Sequence, residues 1–216
     1  MTLRNAPEQQ TALPIFPGCN RPHVSGRIAP HTASVGVLVM TIWLTYNASR
    51  SMPILDERTL EFLSHSPDQT RRLGVRLGEL IQSGDLLCLS GDLGSGKTTL
   101  AQGIARGWGS LDPVTSPTFI LINEYHRADS ATLYHFDAFR LSGVAEAEAL
   151  GWYDLLDGAG PVIIEWPERI AESLPEEQLW VSLRWVDEMR RGLHFEARGV
   201  HYERMLQAFR QTTFGG

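Results

Sequence analysis

Residues Gly91-Asp-Leu-Gly-Ser-Gly96-Lys97-Thr98 satisfy G-x-x-x-x-G-K-[ST], a spacing that few folds can accommodate. The string follows Leu86, Leu87, Cys88 and Leu89, a short apolar run suited to a strand buried on both faces. It leads into Leu100, Ala101, Gln102, Ile104 and Ala105, which propagate a helix. Strand, glycine loop and helix start, in that order, are what a phosphate-binding loop requires. The glycines let the backbone curl until successive N–H groups face one anion, and the helix N-terminus adds its partial positive charge at the same point. Lys97 would reach the outer phosphates and the Thr98 hydroxyl would hold Mg²⁺. Lys97 is also the only lysine among 19 basic residues, all the others being arginine. A compact point charge on a flexible stem suits the phosphate cradle where a planar fork does not.

At 216 residues the chain holds one full α/β domain with some excess. The net charge of −6, with no long basic run, argues against binding nucleic acid by charge alone. Arg71, Arg72 and Arg76 read as one solvated helix face. Two cysteines, Cys19 and Cys88, make no disulfide framework. Cys88, inside the expected core strand, reads as a small buried hydrophobe in a reducing cytosol, which points to a cytoplasmic protein.

Residues 1–51 differ from the remainder. Four arginines and one glutamate give them a balance of +3, against −9 for the rest of the chain. Prolines at 7, 14, 17, 22 and 30 interrupt any regular pattern. Val35–Leu44 is apolar but about ten residues cannot span a bilayer. A disordered extension, an added strand, or upstream sequence ahead of a true start at Met52 are the three readings, with disorder or a mis-set start favoured. The expected domain is therefore 52–216.

Ser66, Pro67 and Gln69 form a capping-box helix start, continued by Leu73, Leu77, Leu80 and Ile81 at helical spacing. Gly107 to Gly109 closes the next helix. Residues 113–117 read as a loop, Phe119–Tyr125 and Thr132–Phe136 as strands, and Glu146–Leu156 as helical with a break at Gly151. Pro161–Glu165 is a third apolar strand. Gln178–Val186 and Leu193–Ala197 alternate around Asp187–Gly192 as an edge hairpin, and Val200–Phe209 is a closing amphipathic helix. The fold expected is a three-layer α/β P-loop NTPase domain, mainly parallel, with an antiparallel hairpin on one edge.

Two acids share one signature, a carboxylate capping a hydrophobic strand: Asp137 after Thr132–Phe136 and Glu165 after Pro161–Ile164. In a parallel sheet both strand ends can open toward the phosphate loop. Ser116-Pro117-Thr118-Phe119 sits where a γ-phosphate-sensing loop would come. Trp166 reads as packing or as a stacking surface, Arg140 as a charge clamp or a surface ion pair, and His135 as structural rather than catalytic.

Taken together, GDLGSGKTT (91–99), SPTF (116–119), YHFDAFRL (134–141) and IIEW (163–166) resemble one family, TsaE, also called YjeE, the bacterial P-loop ATPases of tRNA threonylcarbamoyladenosine synthesis. The resemblance covers about Ser64 to Ala197. It implies that Gly91, Asp92, Leu93, Gly94, Ser95, Gly96, Lys97, Thr98 and Thr99 bind ATP. It further implies that Thr98 and Glu165 are Mg²⁺ ligands, that Asp137 positions water or metal at the γ-phosphate, and that Ser116 and Thr118 belong to a switch-like loop. Lys97, Asp137 and Glu165 would carry hydrolysis. The family commonly shows Tyr at the position of Phe139, so any role for that hydroxyl is absent here. The implied partners are TsaB and TsaD, whose transfer of the threonylcarbamoyl group to tRNA adenosine 37 the ATP cycle would reset, with tRNA met only through the complex and no membrane contact. A free-standing kinase is the alternative, although Arg127 and Arg140 alone between Thr115 and Glu165 are thin for an arginine-rich lid. A nucleotide-binding scaffold without useful turnover is a third reading.

Overall fold

The computed structural model describes residues 57–112, 121–158 and 160–215. Its elements are β1 (Thr59–Ser64), α1 (Pro67–Gly78), β2 (Leu86–Ser90), α2 (Lys97–Trp108), β3 (Ile122–His126), β4 (Thr132–Asp137), α3 (Val144–Ala149), α4 (Trp152–Leu156), β5 (Val162–Glu165), a 3-10 helix (Pro167–Ser173), β6 (Gln178–Trp185), β7 (Arg191–Arg198) and α5 (Val200–Phe214). The expectations for residues 1–51, and for the beginning of the strand read over 119–125, lie outside the described residues.

Local chemistry starts and stops these elements. Ser66 is extended (φ −163°) and its hydroxyl accepts the Gln69 N–H at 3.1 Å, while Gln69 Oε1 accepts the His65 N–H at 2.7 Å. One orphan N–H of α1, that of Gln69, and the His65 N–H just ahead of the cap are thereby satisfied. Gly151, at φ 84°, separates α3 from α4 where the sequence predicts a break.

All seven strands form one sheet in the order β1-β7-β6-β2-β5-β4-β3. The pairs β4–β5, β5–β2 and β2–β6 are parallel; β3–β4, β6–β7 and β1–β7 are antiparallel. The β6–β7 hairpin therefore forms, but it is not the rim. Strand β1, which the sequence reading did not assign, pairs outside β7 along its full length from Thr59↔Glu196 to Ser64↔Arg191. The 178–198 hairpin is an inner step from the parallel centre to that added edge.

Helices cover both faces. Leu87, Leu89, Leu133 and Ile163 pack toward α1, α2 and α5; Leu86, Cys88, Phe136, Val162 and Ile164 pack toward α3, α4 and the 3-10 helix. Burial on both sides explains why β2 and β5 are continuously apolar rather than alternating. Helices α1 and α2 meet backbone to backbone. A Cβ placed on Gly103 of α2 would stand 2.8 Å from the Gly74 Cα of α1, and one on Gly107 the same distance from the Val75 Cα. Gly74 and Gly78 on one helix, and Gly103 and Gly107 on the other, are spaced by four residues and so share a face. This contact seats the helix that follows the glycine loop. Among the described residues no helix is long and apolar enough to cross a membrane.

Candidate functional site

The parallel register brings three strand ends level. Glu165 of β5 stands opposite Leu89 of β2 on one side and Asp137 of β4 on the other. The chain leaves β2 directly into the glycine loop, so the loop and both carboxylates meet at the carboxyl end of the sheet. In the loop, Gly91, Gly94 and Gly96 have φ of 137°, 78° and 103°. Gly91 also passes so close to the Leu183 carbonyl that a Cβ would collide with it. A larger residue there would lose both the backbone geometry and the fit against β6. Gly96 is the N-cap of α2 and offers no side-chain acceptor, leaving the first N–H groups of a twelve-residue helix for an external anion.

Lys97 is 4% exposed. Its ammonium donates to the carbonyl oxygens of Gly91 at 2.6 Å and Asp92 at 3.1 Å, and lies 3.8 Å from the centre of the Trp166 ring. Burial pushes its pKa down, while the charges of Glu165, Glu168, Asp137 and Asp92 oppose the shift. Trp166 has φ 60°, one of two non-glycine residues with positive φ among the described residues. A bulky side chain held there is a strained arrangement of the kind that collects at functional sites. Its ring rests on Phe139, with centroids 4.9 Å apart.

The Thr98 hydroxyl donates to Glu165 Oε2 at 3.2 Å. The other carboxylate oxygen, Oε1, is 3.1 Å from His135 Nε2, and His135 Nδ1 is 3.4 Å from the Tyr125 hydroxyl. Burial pushes the Tyr125 phenol up, so it holds its proton. Asp137 lies beside this row, its Oδ1 accepting the Phe139 N–H at 2.9 Å. Burial first, and the Glu165 charge second among the causes that raise it, push the Asp137 carboxyl up from its ordinary 3.8.

An open cleft of about 240 Å³ is lined by Leu93, Gly94, Gly96, Lys97, Thr98, Thr99, Asp137, Phe139, Glu165 and Trp166. Every predicted site residue that is described, from Gly91 to Thr99 together with Asp137 and Glu165, falls in or beside this cleft. Ser116 and Thr118 lie outside the described residues. Arg127 is engaged on the surface with Asp129 at 2.6 Å and over the Trp108 ring, away from the cleft. His135 is the residue whose place the sequence reading understated. On a strand, positions i and i+2 share a face, so His135 two before Asp137 already belonged with the carboxylates.

The donor set fits a small hard cation. Among the described residues no group of three or more His, Cys, Asp and Glu could hold a metal by itself. A magnesium ion bound beside phosphates needs only one or two protein oxygens, and Thr98 Oγ1 with Glu165 offers them. The Ser95 hydroxyl, buried and without a hydrogen-bond partner among the described residues, is a further orphan polar group inside the loop.

Comparison with known proteins agrees in extent with these motifs. The family model described as "Threonylcarbamoyl adenosine biosynthesis protein TsaE" matches residues 64–193. The tRNA threonylcarbamoyladenosine biosynthesis protein TsaE of Bacillus subtilis is 35% identical over 150 residues, covering 69% of this chain and 93% of that protein. The protein of the same name from Treponema pallidum is 39% identical over 122 residues, 56% of this chain and 89% of its own length. Among solved structures, the crystal structure of Bacillus subtilis YdiB superposes with a TM-score of 0.60 at 30% identity, covering 72% of this chain and 96% of that one.

Proposed function

The chain belongs to the TsaE family of tRNA threonylcarbamoyladenosine biosynthesis, and from that premise we propose that it is the ATP-binding, ATP-hydrolysing subunit of the pathway, with a three-layer P-loop NTPase fold. One observation carries the reading: the glycine loop, the buried Lys97 ammonium and the Thr98–Glu165 hydrogen bond converge at one end of the sheet. Phosphoryl transfer to water asks for positioning and charge neutralisation more than for covalent chemistry, and these are what the groups can supply.

In this reading the triphosphate lies along Gly91 to Thr99, with the loop N–H groups and the start of α2 on its oxygens. Lys97 exchanges the Gly91 and Asp92 carbonyls for β- and γ-phosphate oxygens, a stronger charge-assisted partner. Thr98 and Glu165 would hold Mg²⁺, which when bound neutralises charge on the phosphate oxygens. Asp137 would orient the attacking water. Its raised pKa makes it a better acceptor for the water proton than an ordinary aspartate. The water oxygen would bond to the γ-phosphorus as the bond from that phosphorus to the β,γ-bridging oxygen breaks. The water proton would pass to Asp137 or to the released phosphate, leaving ADP and phosphate.

The partners in this reading are TsaB and TsaD, in the cytoplasm, with tRNA engaged only through that complex. The acidic chain without a basic stripe supports this. The test is ATP turnover by the protein alone and with the TsaB–TsaD pair of the same organism, beside Glu165→Ala. Stimulation by the pair that disappears in the variant is the expected result. Absence of stimulation, with phosphate transferred to an added small molecule, would overturn the reading in favour of a free-standing kinase.

A further inference from the structure

We infer that His135, with Tyr125 behind it, is a positioning residue that orients Glu165 and through it the Thr98 hydroxyl for a divalent cation. The inference rests on the proposed Mg-nucleotide reading of the cleft. Four side chains from three strands and a helix stand in one line: Tyr125 Oη to His135 Nδ1 at 3.4 Å, His135 Nε2 to Glu165 Oε1 at 3.1 Å, and Thr98 Oγ1 to Glu165 Oε2 at 3.2 Å. Tyr125, His135 and Glu165 are 3%, 0% and 3% exposed.

The directions of the protons follow from what each group can do. A carboxylate only accepts, so both His135 Nε2 and Thr98 Oγ1 must donate to it. The Nε2 proton is therefore held on Glu165, and the other ring nitrogen, Nδ1, meets the Tyr125 hydroxyl at 3.4 Å, which fixes the plane of the ring. The imidazole proton and the threonine proton thus both point toward Glu165. With its own proton committed there, the Thr98 oxygen is left with lone pairs directed into the cleft, the donor a hard cation takes. Glu165, fixed at Oε1 by the imidazole, cannot turn to release that proton. This is the arrangement by which residues behind a metal site tune affinity without touching the ion.

A buried histidine could also serve packing alone, and the test separates the two roles. His135→Asn and His135→Gln are both polar. The glutamine amide reaches about as far as Nε2, and the asparagine amide only as far as Nδ1. Each full-length variant is titrated with ADP across a range of Mg²⁺ concentrations and in EDTA, and its melting temperature is recorded without nucleotide. His135→Asn is expected to need about tenfold more Mg²⁺ for half of the metal-dependent gain in affinity, the scale of losses from residues behind a metal site. Its affinity for ADP in EDTA stays at the wild-type value, and His135→Gln recovers most of the Mg²⁺ response. The inference is overturned if both variants keep the wild-type Mg²⁺ response, or if both lose affinity equally with and without the metal. A wild-type protein that binds ADP with no Mg²⁺ dependence would remove the cation reading itself, and the inference with it.

Discussion

On one face of the sheet α1 and α2 are pressed together through glycines, main chain against main chain; on the other, α3 and α4 are helices of six and five residues held by large rings. The first face carries the proposed site. Lys97 and Thr98 begin α2, and His135, Asp137 and Glu165 alternate on their strands toward that side. At Gly74, Gly78, Gly103 and Gly107 no side chain separates the two backbones, so there is little slack where α2 rests on α1. On the second face Trp152, fully buried, stacks on Phe136 with centroids 5.3 Å apart, among Leu86, Cys88, Val162 and Ile164. Both faces are buried, the first the more extensively, but the carboxylates, the histidine and the helix that leaves the glycine loop belong to the first. Damage to the two sides should read out differently.

The largest contrast is expected at the chemistry itself. Lys97→Ala should lower ATP turnover by roughly 10³-fold or more, the scale at which single cations act on phosphoryl transfer, while leaving the melting temperature near wild type; steady-state phosphate release measures it. Across the sheet, Trp152→Ala should cost about 3–5 kcal/mol in a denaturant titration. The folded fraction should keep wild-type ADP affinity, and a parallel loss of affinity would break the division between faces. Gly78→Ala should cost about 1–3 kcal/mol, because the new methyl group meets the Ile104 carbonyl and the Trp108 nitrogen. In an open helix the same change gains stability, so the sign of the effect reports the contact, and weakened ADP binding alongside it would sharpen the claim that this packing seats α2.

The smallest effect belongs to Asp137. Its folded pKa is raised from 3.8, so the folded state holds the proton more tightly than the unfolded chain. Its favourable contribution is present below that ordinary value and is lost as pH rises through the raised one. At neutral pH the ionised group therefore costs stability. Asp137→Asn should melt slightly higher than wild type near neutrality and show no advantage in acid, as calorimetry across pH would record, even as turnover falls. A lower melting temperature at neutral pH would contradict the burial argument.

Much of the site was legible because its signals are local. The glycine loop, the Ser66 cap and the carboxylates at Asp137 and Glu165 are each written within a few residues and depend on backbone conformations that few sequences satisfy. What escaped depends on distant partners. Strand β1 reads as little more than Leu60 and Phe62 in alternation, and its place is decided by β7, which follows more than a hundred residues later. The glycines of α1 and α2 look, in sequence, like weak points in two helices; only their mutual approach gives them a purpose. His135 reads as structural in sequence because the i, i+2 spacing places it on the face of Asp137 without showing the contact it makes with Glu165 thirty residues on. The β6–β7 hairpin reads as an edge in sequence because nothing within it announces another strand beyond.

The most direct test of the account is where a nucleotide binds. Mg-ADP titrated into isotopically labelled protein should shift the backbone amides of Gly91 to Thr99 and of Glu165 and Trp166. Shifts confined instead to the larger groove of about 590 Å³ lined by Arg58, Glu177, Arg198 and Glu203, at the opposite end of the parallel strands, would contradict it.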